Sequence, residues 1–416
     1  MRTTDAAEAL AAIAPGSHIV AGPGCGAPIG LLGALGKVAS DEGWTLSSGL
    51  LLGDYPFLDA VREGRLNYRT WHVMGPIRAL VADGTASYVP VRASRLVNSL
   101  AARGVDAALV RVTPPDRHGY CSLGPSASYS LDALGFARVR IGEVDPDLPW
   151  THGRTAVPAS LFDALVESAE PTPSYHSSTA DATSRRIADH ILGLLPSEPT
   201  LQIGIGAIPE SVVSSLGGTG LGRVRFAGMA TDDMVDLSEA GVLDTGGDEP
   251  AILAPELMGS ARLMDFADRN PDVALFPSSY SHNPAVLGGI ERFVSINTAI
   301  EVDLSGQVNS EMVKGRQVSG IGGSLDFVEA ATRSPGGLRV IALPSTTPDG
   351  KHSRIVSAIG PNGTVTIPRS MVDTVVTEYG VARLEGRTHR ERIDALIAIA
   401  HPDHRDALTA QAGVAR

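Results

Sequence analysis

The sequence holds only two cysteines, Cys25 and Cys121, in 416 residues. That is too few for a multi-cysteine zinc site, and it fits a reducing compartment better than a disulfide framework. No apolar run reaches the roughly 18 uninterrupted residues that a membrane-spanning helix needs. The first residues, MRTTDAAEALAAIAPGSHIV, carry one early arginine and no apolar segment of signal-peptide form, so a soluble, cytoplasmic protein is expected. Positive charge is also in short supply: 34 Lys and Arg against 46 Asp and Glu give a net charge of -12. A nucleic-acid partner would want a basic stripe, and an anionic membrane would want a basic face, so neither partner is expected. A small phosphate-bearing ligand is not excluded, because helix N-termini and single basic groups act over a few ångströms whatever the global sign. No metal-binding cluster is visible, and no permanently bound cofactor is implied.

What is present reads as a globular chain, 43% hydrophobic and 19% charged, long enough for two domains of about 200 residues each. Short apolar runs alternate with amphipathic stretches, as in SHIVAGPG followed by APIGLLGALGKVAS, with glycine and proline at the joints. That alternation predicts an α/β fold built of open, mostly parallel sheets flanked by helices. Two pairs of segments repeat in order. IVAGPGCGAPIGLLGAL at 19–35 matches LQIGIGAIPESVVSSL at 201–216, and the stretch 105–126 echoes 338–361, which suggests an internal duplication. The polar, proline-bearing stretch 168–184 has linker composition, so the domains are placed at 1–185 and 186–416.

The glycine turn Gly204-Ile205-Gly206, between a strand and a helix opening Ala207-Ile208-Pro209, presents backbone N–H groups to an anion or a developing oxyanion. Many such turns merely let a helix pack closely on its strand. Specificity comes from further blocks in order: SYVPVRAS, TPPDRHGYCSLG and EVDPDLPWTHG in the first half, then SINTAIEVDLSGQVN, SGIGGSLDF, ALPSTTPDGKHSRIV and VTIPRSMVDTVVTEYGVARLEG. Together with FAGMATDDMVDLSEA at 226–240, these resemble the acetyl-CoA hydrolase / 4-hydroxybutyrate CoA-transferase family, of the class I CoA-transferase fold, from about residue 17 to 410.

The resemblance implies that a glutamate attacks an acyl-CoA thioester, that the released CoA thiolate forms a glutamyl-CoA thioester, and that a carboxylic acid or water completes the cycle. It implies a homodimer, with coenzyme A thioester as substrate and most of the site on the second domain. Residue by residue, Gly204, Ile205, Gly206, Gly322 and Gly323 would supply N–H groups, Asn297 would lie against the thioester, and Lys351 and Arg354 would meet the CoA phosphates. The register of Met234 to Gly241, however, puts Gly228 in the slot of the glutamate. Asp233 stands where the family has glycine, and Ser324 where it has glutamine.

Glycine cannot be a nucleophile, so other groups come forward. Asp232 matches a family aspartate and suits a structural or capping role as well as a catalytic one. Asp233 is a candidate base or shifted nucleophile, or a helix-start acid. Cys25 sits at a helix N-terminus, where a thiol pKa is lowered, unless it is buried and inert. His118 and His152 are candidate bases or loop-ordering groups, while Glu311 and Glu378 read as structural. Three readings stay open: an enzyme that passes the acyl group directly to an acceptor or water without a glutamyl-CoA intermediate, an ordinary CoA-transferase with a relocated nucleophile, and a non-catalytic acyl-CoA-binding protein.

Overall fold

The computed structural model describes residues 4–40, 42–176 and 180–414. It divides into two compact units, and the division is not a single cut. Unit 1 is Met1–His176 with Met229–Val235 and Gly246–Ser281, and unit 2 is Ser177–Gly228 with Asp236–Thr245 and His282–Arg416. Part of the stretch read as a linker, 177–179, lies outside the described residues.

Unit 1 is built on a seven-stranded, all-parallel sheet. Its spatial order is Ala164–Glu167, Val139–Val144, Ala107–Val112, His18–Ala21, Thr45–Ser48, Asn67–Thr70 and Ala86–Tyr88. The central strands HIVA and AALVRV are buried along their whole length, as strands covered by helices on both faces must be. The helix Ile29–Val38 lays Leu31, Leu32 and Leu35 on one face of the sheet, beside Leu46, Phe57 and Tyr68. Leu96, Leu100, Tyr129 and Leu134 fill the other face. A charged cluster of Arg111, Glu143 and Asp145 lies in this core. Arg111 is 1% exposed, pairs with Asp145 at 2.9 Å and lies 3.7 Å from Glu143 on the neighbouring strand. Glu143 also accepts the Leu31 N–H at 2.7 Å in the first turn of the helix, so it neutralises Arg111 and caps a helix at once. A second parallel set in this unit joins Ile252–Ala254, Val273–Leu275 and His152–Gly153.

In unit 2 the parallel strands run Thr374–Thr377, Leu338–Ala342, Phe293–Thr298, Thr200–Ile203 and Arg225–Ala227, with the antiparallel strand Gly380–Arg383 outside the first of these. Counted along the second half of the chain, with Ile252–Ala254 and Val273–Leu275 third and fourth, the first strand, Thr200–Ile203, has the second on one side and the fifth on the other. His18–Ala21 has the same neighbours in unit 1, and the sixth and seventh strands follow in the same order in both. Two sheets wound on one plan are what a duplication leaves. The strand plan also corrects one of the repeats read from sequence. Ala107–Val112 corresponds in position to Phe293–Thr298, and it is Val139–Val144 that corresponds to Leu338–Ala342. The resemblance of 105–126 to 338–361 therefore joins strands one place apart. Among the described residues, no helix is long and apolar enough to cross a membrane.

Candidate functional site

The strand Arg225–Ala227 delivers Gly228 in unit 2 with φ +151°, a backbone conformation that residues with side chains rarely adopt. A Cβ there would stand 3.2 Å from Cγ of Gln202 on the adjoining strand. Gln202 is buried and accepts a hydrogen bond from Asn297 Nδ2 at 3.0 Å, with a longer return contact at 3.5 Å. The Asn297 amide is thus turned toward Gln202.

The glycine turn is only partly open. Gly204 N–H donates to the Ile296 carbonyl and Gly206 N–H to Glu210 Oε1, so both are used within the chain. Ile205 lies between them, at the mouth of the helix Ala207–Ser215, and no such bond is made by its N–H. Gly206 takes φ +118°, which frees the chain to enter that helix. In the second glycine loop, a Cβ at Gly323 would run into the His282 and Phe327 rings, whose centroids are 4.7 Å apart, so this glycine serves close packing. Ser324 opens the helix Ser324–Arg333 and donates to the Ile321 carbonyl at 3.0 Å. Lys351 is exposed, whereas Arg354 is partly buried. Burial lowers the Arg354 pKa, and the nearby Glu378 carboxylate opposes that. Glu378 itself accepts from Ser345 N and Oγ at 2.9 and 2.6 Å, and Glu311 accepts from Thr366 and Gln317.

The two aspartates fall in unit 1. Asp232 accepts from Ser260 N at 3.0 Å and Ser260 Oγ at 2.8 Å, and Ser260 in turn caps the helix Ala261–Ala267. Asp233 is the first residue of the helix Asp233–Glu239. Cys25 is buried, and desolvation pushes its thiol up to about 12, which matches the buried, inert alternative and not the lowered pKa of a helix start. His118 and His152 are exposed. Among the described residues, no group of three or more His, Cys, Asp or Glu is placed to hold a metal.

One group was missed from the sequence. Glu256 lies just past the strand Ile252–Ala254, is 7% exposed, and its Oε2 has no hydrogen-bond partner. Burial pushes its carboxyl up to about 7, against a lowering hydrogen bond from Ser128. A Cβ at Gly24 would stand 2.9 Å from that Oε2, 3.2 Å from Met258 Sδ and 3.5 Å from Leu50 Cδ2. The available signal was a lone acid in AILAPELMG, where Ala251, Ile252, Ala254, Leu257 and Met258 are all buried.

Residues 2–173 match the N-terminal domain of the acetyl-CoA hydrolase/transferase family, and residues 259–412 match its C-terminal domain. The chain is 35% identical over 410 residues to a 4-hydroxybutyrate coenzyme A transferase from Clostridium kluyveri, covering 97% of this chain and 95% of that one. Its structure is similar to that of RipA from Yersinia pestis, with a TM-score of 0.91 and 31% identity, covering 100% and 97% of the two chains. It is also similar to a 4-hydroxybutyrate CoA-transferase from Porphyromonas gingivalis, with a TM-score of 0.81 and 30% identity over 100% and 98%.

Proposed function

Because the chain belongs to the acetyl-CoA hydrolase/transferase family, we propose that it takes an acyl-CoA thioester and transfers or releases its acyl group without an intermediate on residue 228. The acceptor is a carboxylate, as the names of its CoA-transferase relatives suggest, or water. The observation that carries this reading is the backbone at 228. The residue there has no side chain, its φ of +151° resists one, and Gln202 stands 3.2 Å from where a Cβ would be. The open Ile205 N–H at a helix N-terminus is the group best suited to polarise the thioester carbonyl. Lys351 and Arg354 are assigned to the CoA phosphates, and a homodimer is part of the proposal.

Loss of a nucleophile alone costs about 10⁶ in turnover in a protease analogue, with roughly 10³ to 10⁴ over water left to oxyanion and binding groups. Two routes therefore remain. One is direct attack on the thioester by the acceptor, the route expected from the sequence, and the other is a carboxylate supplied from elsewhere in the chain. The test is a panel of acetyl-, butyryl- and succinyl-CoA, each with acetate, an amine, an alcohol or water alone, with the products identified by mass. Consumption of at least one thioester is expected. Ligand-dependent stabilisation with no turnover of any thioester would instead identify a binding protein and refute the proposal.

A further inference from the structure

Burying a carboxyl without a full set of partners is costly, and several buried acids among the described residues avoid that cost. Glu143 and Asp145 face Arg111, Asp303 accepts from Ser305 and Gln307, Glu311 from Thr366, and Glu378 from Ser345. Glu256 differs from these, with one oxygen bare beside Gly24, a feature it shares with the half-buried Asp132, whose Oδ2 is also unpartnered.

Its surroundings in unit 1 are close-packed on glycines. Glycines stand opposite its polar groups. A Cβ at Gly26 would be 2.7 Å from Cβ of Ser126, whose hydroxyl is likewise unpartnered, and one at Gly49 would collide with the unpartnered indole Nε1 of Trp71. Two residues with side chains hold positive φ here, Leu50 at +52° and Ser128 at +23°. Strain of this kind, at about 1–3 kcal/mol per residue, persists where surrounding structure enforces it and is concentrated at functional sites. Leu50 and Met258 meet Glu256 Oε2 around the Cβ position of Gly24, and a dry environment makes a carboxylate more reactive. The Glu256 backbone pairs with residue 230 of the stretch 226–240. Ala230, two residues beyond Gly228 in the chain, donates its N–H to the Glu256 carbonyl at 3.1 Å and accepts from Met258 N–H at 2.8 Å.

We propose that Glu256 is the carboxylate nucleophile of this enzyme, carried by the segment that pairs with Ala230. The proposal rests on the reading of the chain as an acyl-CoA enzyme, and it selects the second of the two routes left open above. A Glu256 carboxylate oxygen forms a bond to the thioester carbonyl carbon while the C–S bond breaks, and CoA leaves as thiolate with the electron pair. The thiolate then attacks the Glu256 carbonyl of the mixed anhydride, forming a C–S bond and expelling the acyl group as its carboxylate. The enzyme then holds CoA as a Glu256 thioester. An incoming carboxylate takes the CoA through the reverse sequence, or water adds to the Glu256 carbonyl and releases CoA thiol with the carboxylate restored. No oxidant or reductant is needed.

The test incubates the full chain with acetyl-, butyryl- or succinyl-CoA, quenches, and measures intact mass. The adduct is then located by fragmentation within the tryptic peptide 226–262, which carries Asp232, Asp233 and Glu256 together. A CoA adduct on Glu256 is expected, together with borohydride inactivation that depends on the thioester. Glu256→Gln should show no adduct and a fall in turnover of at least about 10³-fold. An adduct on Asp232 or Asp233 overturns the proposal, as does thioester consumption by unmodified protein or undiminished turnover in Glu256→Gln. Mapping on the unaltered chain decides the matter even if the variant does not fold. A wild-type protein that consumes none of the thioesters refutes the proposed function itself, a result distinct from an adduct at the wrong residue.

Discussion

Replacing Glu256 by glutamine should stabilise the protein above neutral pH and change its stability little in acid. Folding moves this carboxyl from water, where its pKa is 4.5, to a buried place where it is about 7. The gap of about 2.5 pH units corresponds to about 3 kcal/mol. Because the folded-state pKa is the higher one, the native state favours the protonated acid. The stability this confers is fully present below about pH 4.5, falls as the pH rises, and is gone above about pH 7. Cys25 and Tyr129, the titratable groups coupled to Glu256, stay neutral across that window, since burial pushes the thiol up to about 12 and the phenol well above its usual range. The difference between wild type and Glu256→Gln therefore isolates one carboxyl. For a unit of this size, 1 kcal/mol moves a melting temperature by roughly 2–4 °C, so the gap between the two proteins should change by on the order of 10 °C between pH 4.5 and 8. Paired calorimetric scans across that range measure it. Melting curves that stay parallel at every pH would refute the argument, because they would mean that the buried charge is compensated by partners not seen at Glu256.

Gly228→Ala should cost about 1–3 kcal/mol through its backbone conformation alone, and Gly228→Glu at least as much, with no gain in CoA exchange. Restored exchange at unchanged melting temperature would show that the 228 backbone is not adapted to glycine. Cys25 should resist an aromatic disulfide reagent at pH 8 in the native protein and react fully in denaturant, and labelling within minutes in the native state would contradict its burial. Arg111→Met strands Glu143 and Asp145 in the core and should cost about 3–5 kcal/mol, and urea titration should show Glu143→Gln recovering part of that loss. Asp232→Ala should lose about 1–3 kcal/mol with its bonds to Ser260 and keep the CoA adduct; loss of the adduct at unchanged stability would make Asp232 the nucleophile.

The α/β class and the parallel sheets were legible because strands buried on both faces leave apolar runs such as AALVRV, broken by glycine turns into helices. The family was legible because its motifs keep order along the chain. The discontinuity of the units was not, since Gly246–Ser281 joins the body of unit 1 through pairings such as Ser126 with Glu256, and Met229–Val235 follows through Ala230 with Leu257, which local composition does not encode. The engagement of Asn297 by Gln202 was hidden for the same reason, as the two lie 95 residues apart. Glu256 was the largest omission. Alone, its string is an acid in an apolar run; its character comes from Gly24, Leu50 and Ser128, brought in from remote parts of the sequence.

Two glycines carry the physical argument for an altered mechanism, and they act in opposite ways. At 228 glycine offers no carboxylate and lets the chain take φ +151°, a conformation that residues with side chains rarely adopt. At 24 glycine leaves room, because a Cβ 2.9 Å from Glu256 Oε2 would displace the carboxylate. The two sites therefore cannot be exchanged by one substitution. Placing glutamate at 228 must overcome the local conformation and the Gln202 contact, while the buried acid at 256 still carries the cost of its own ionisation. Converting 256 to an apolar residue would relieve that cost and, on the reading proposed, remove the nucleophile. A chain that keeps an expensive, half-satisfied carboxyl in an apolar place, when leucine or methionine would be more stable there, is under a constraint that packing does not supply.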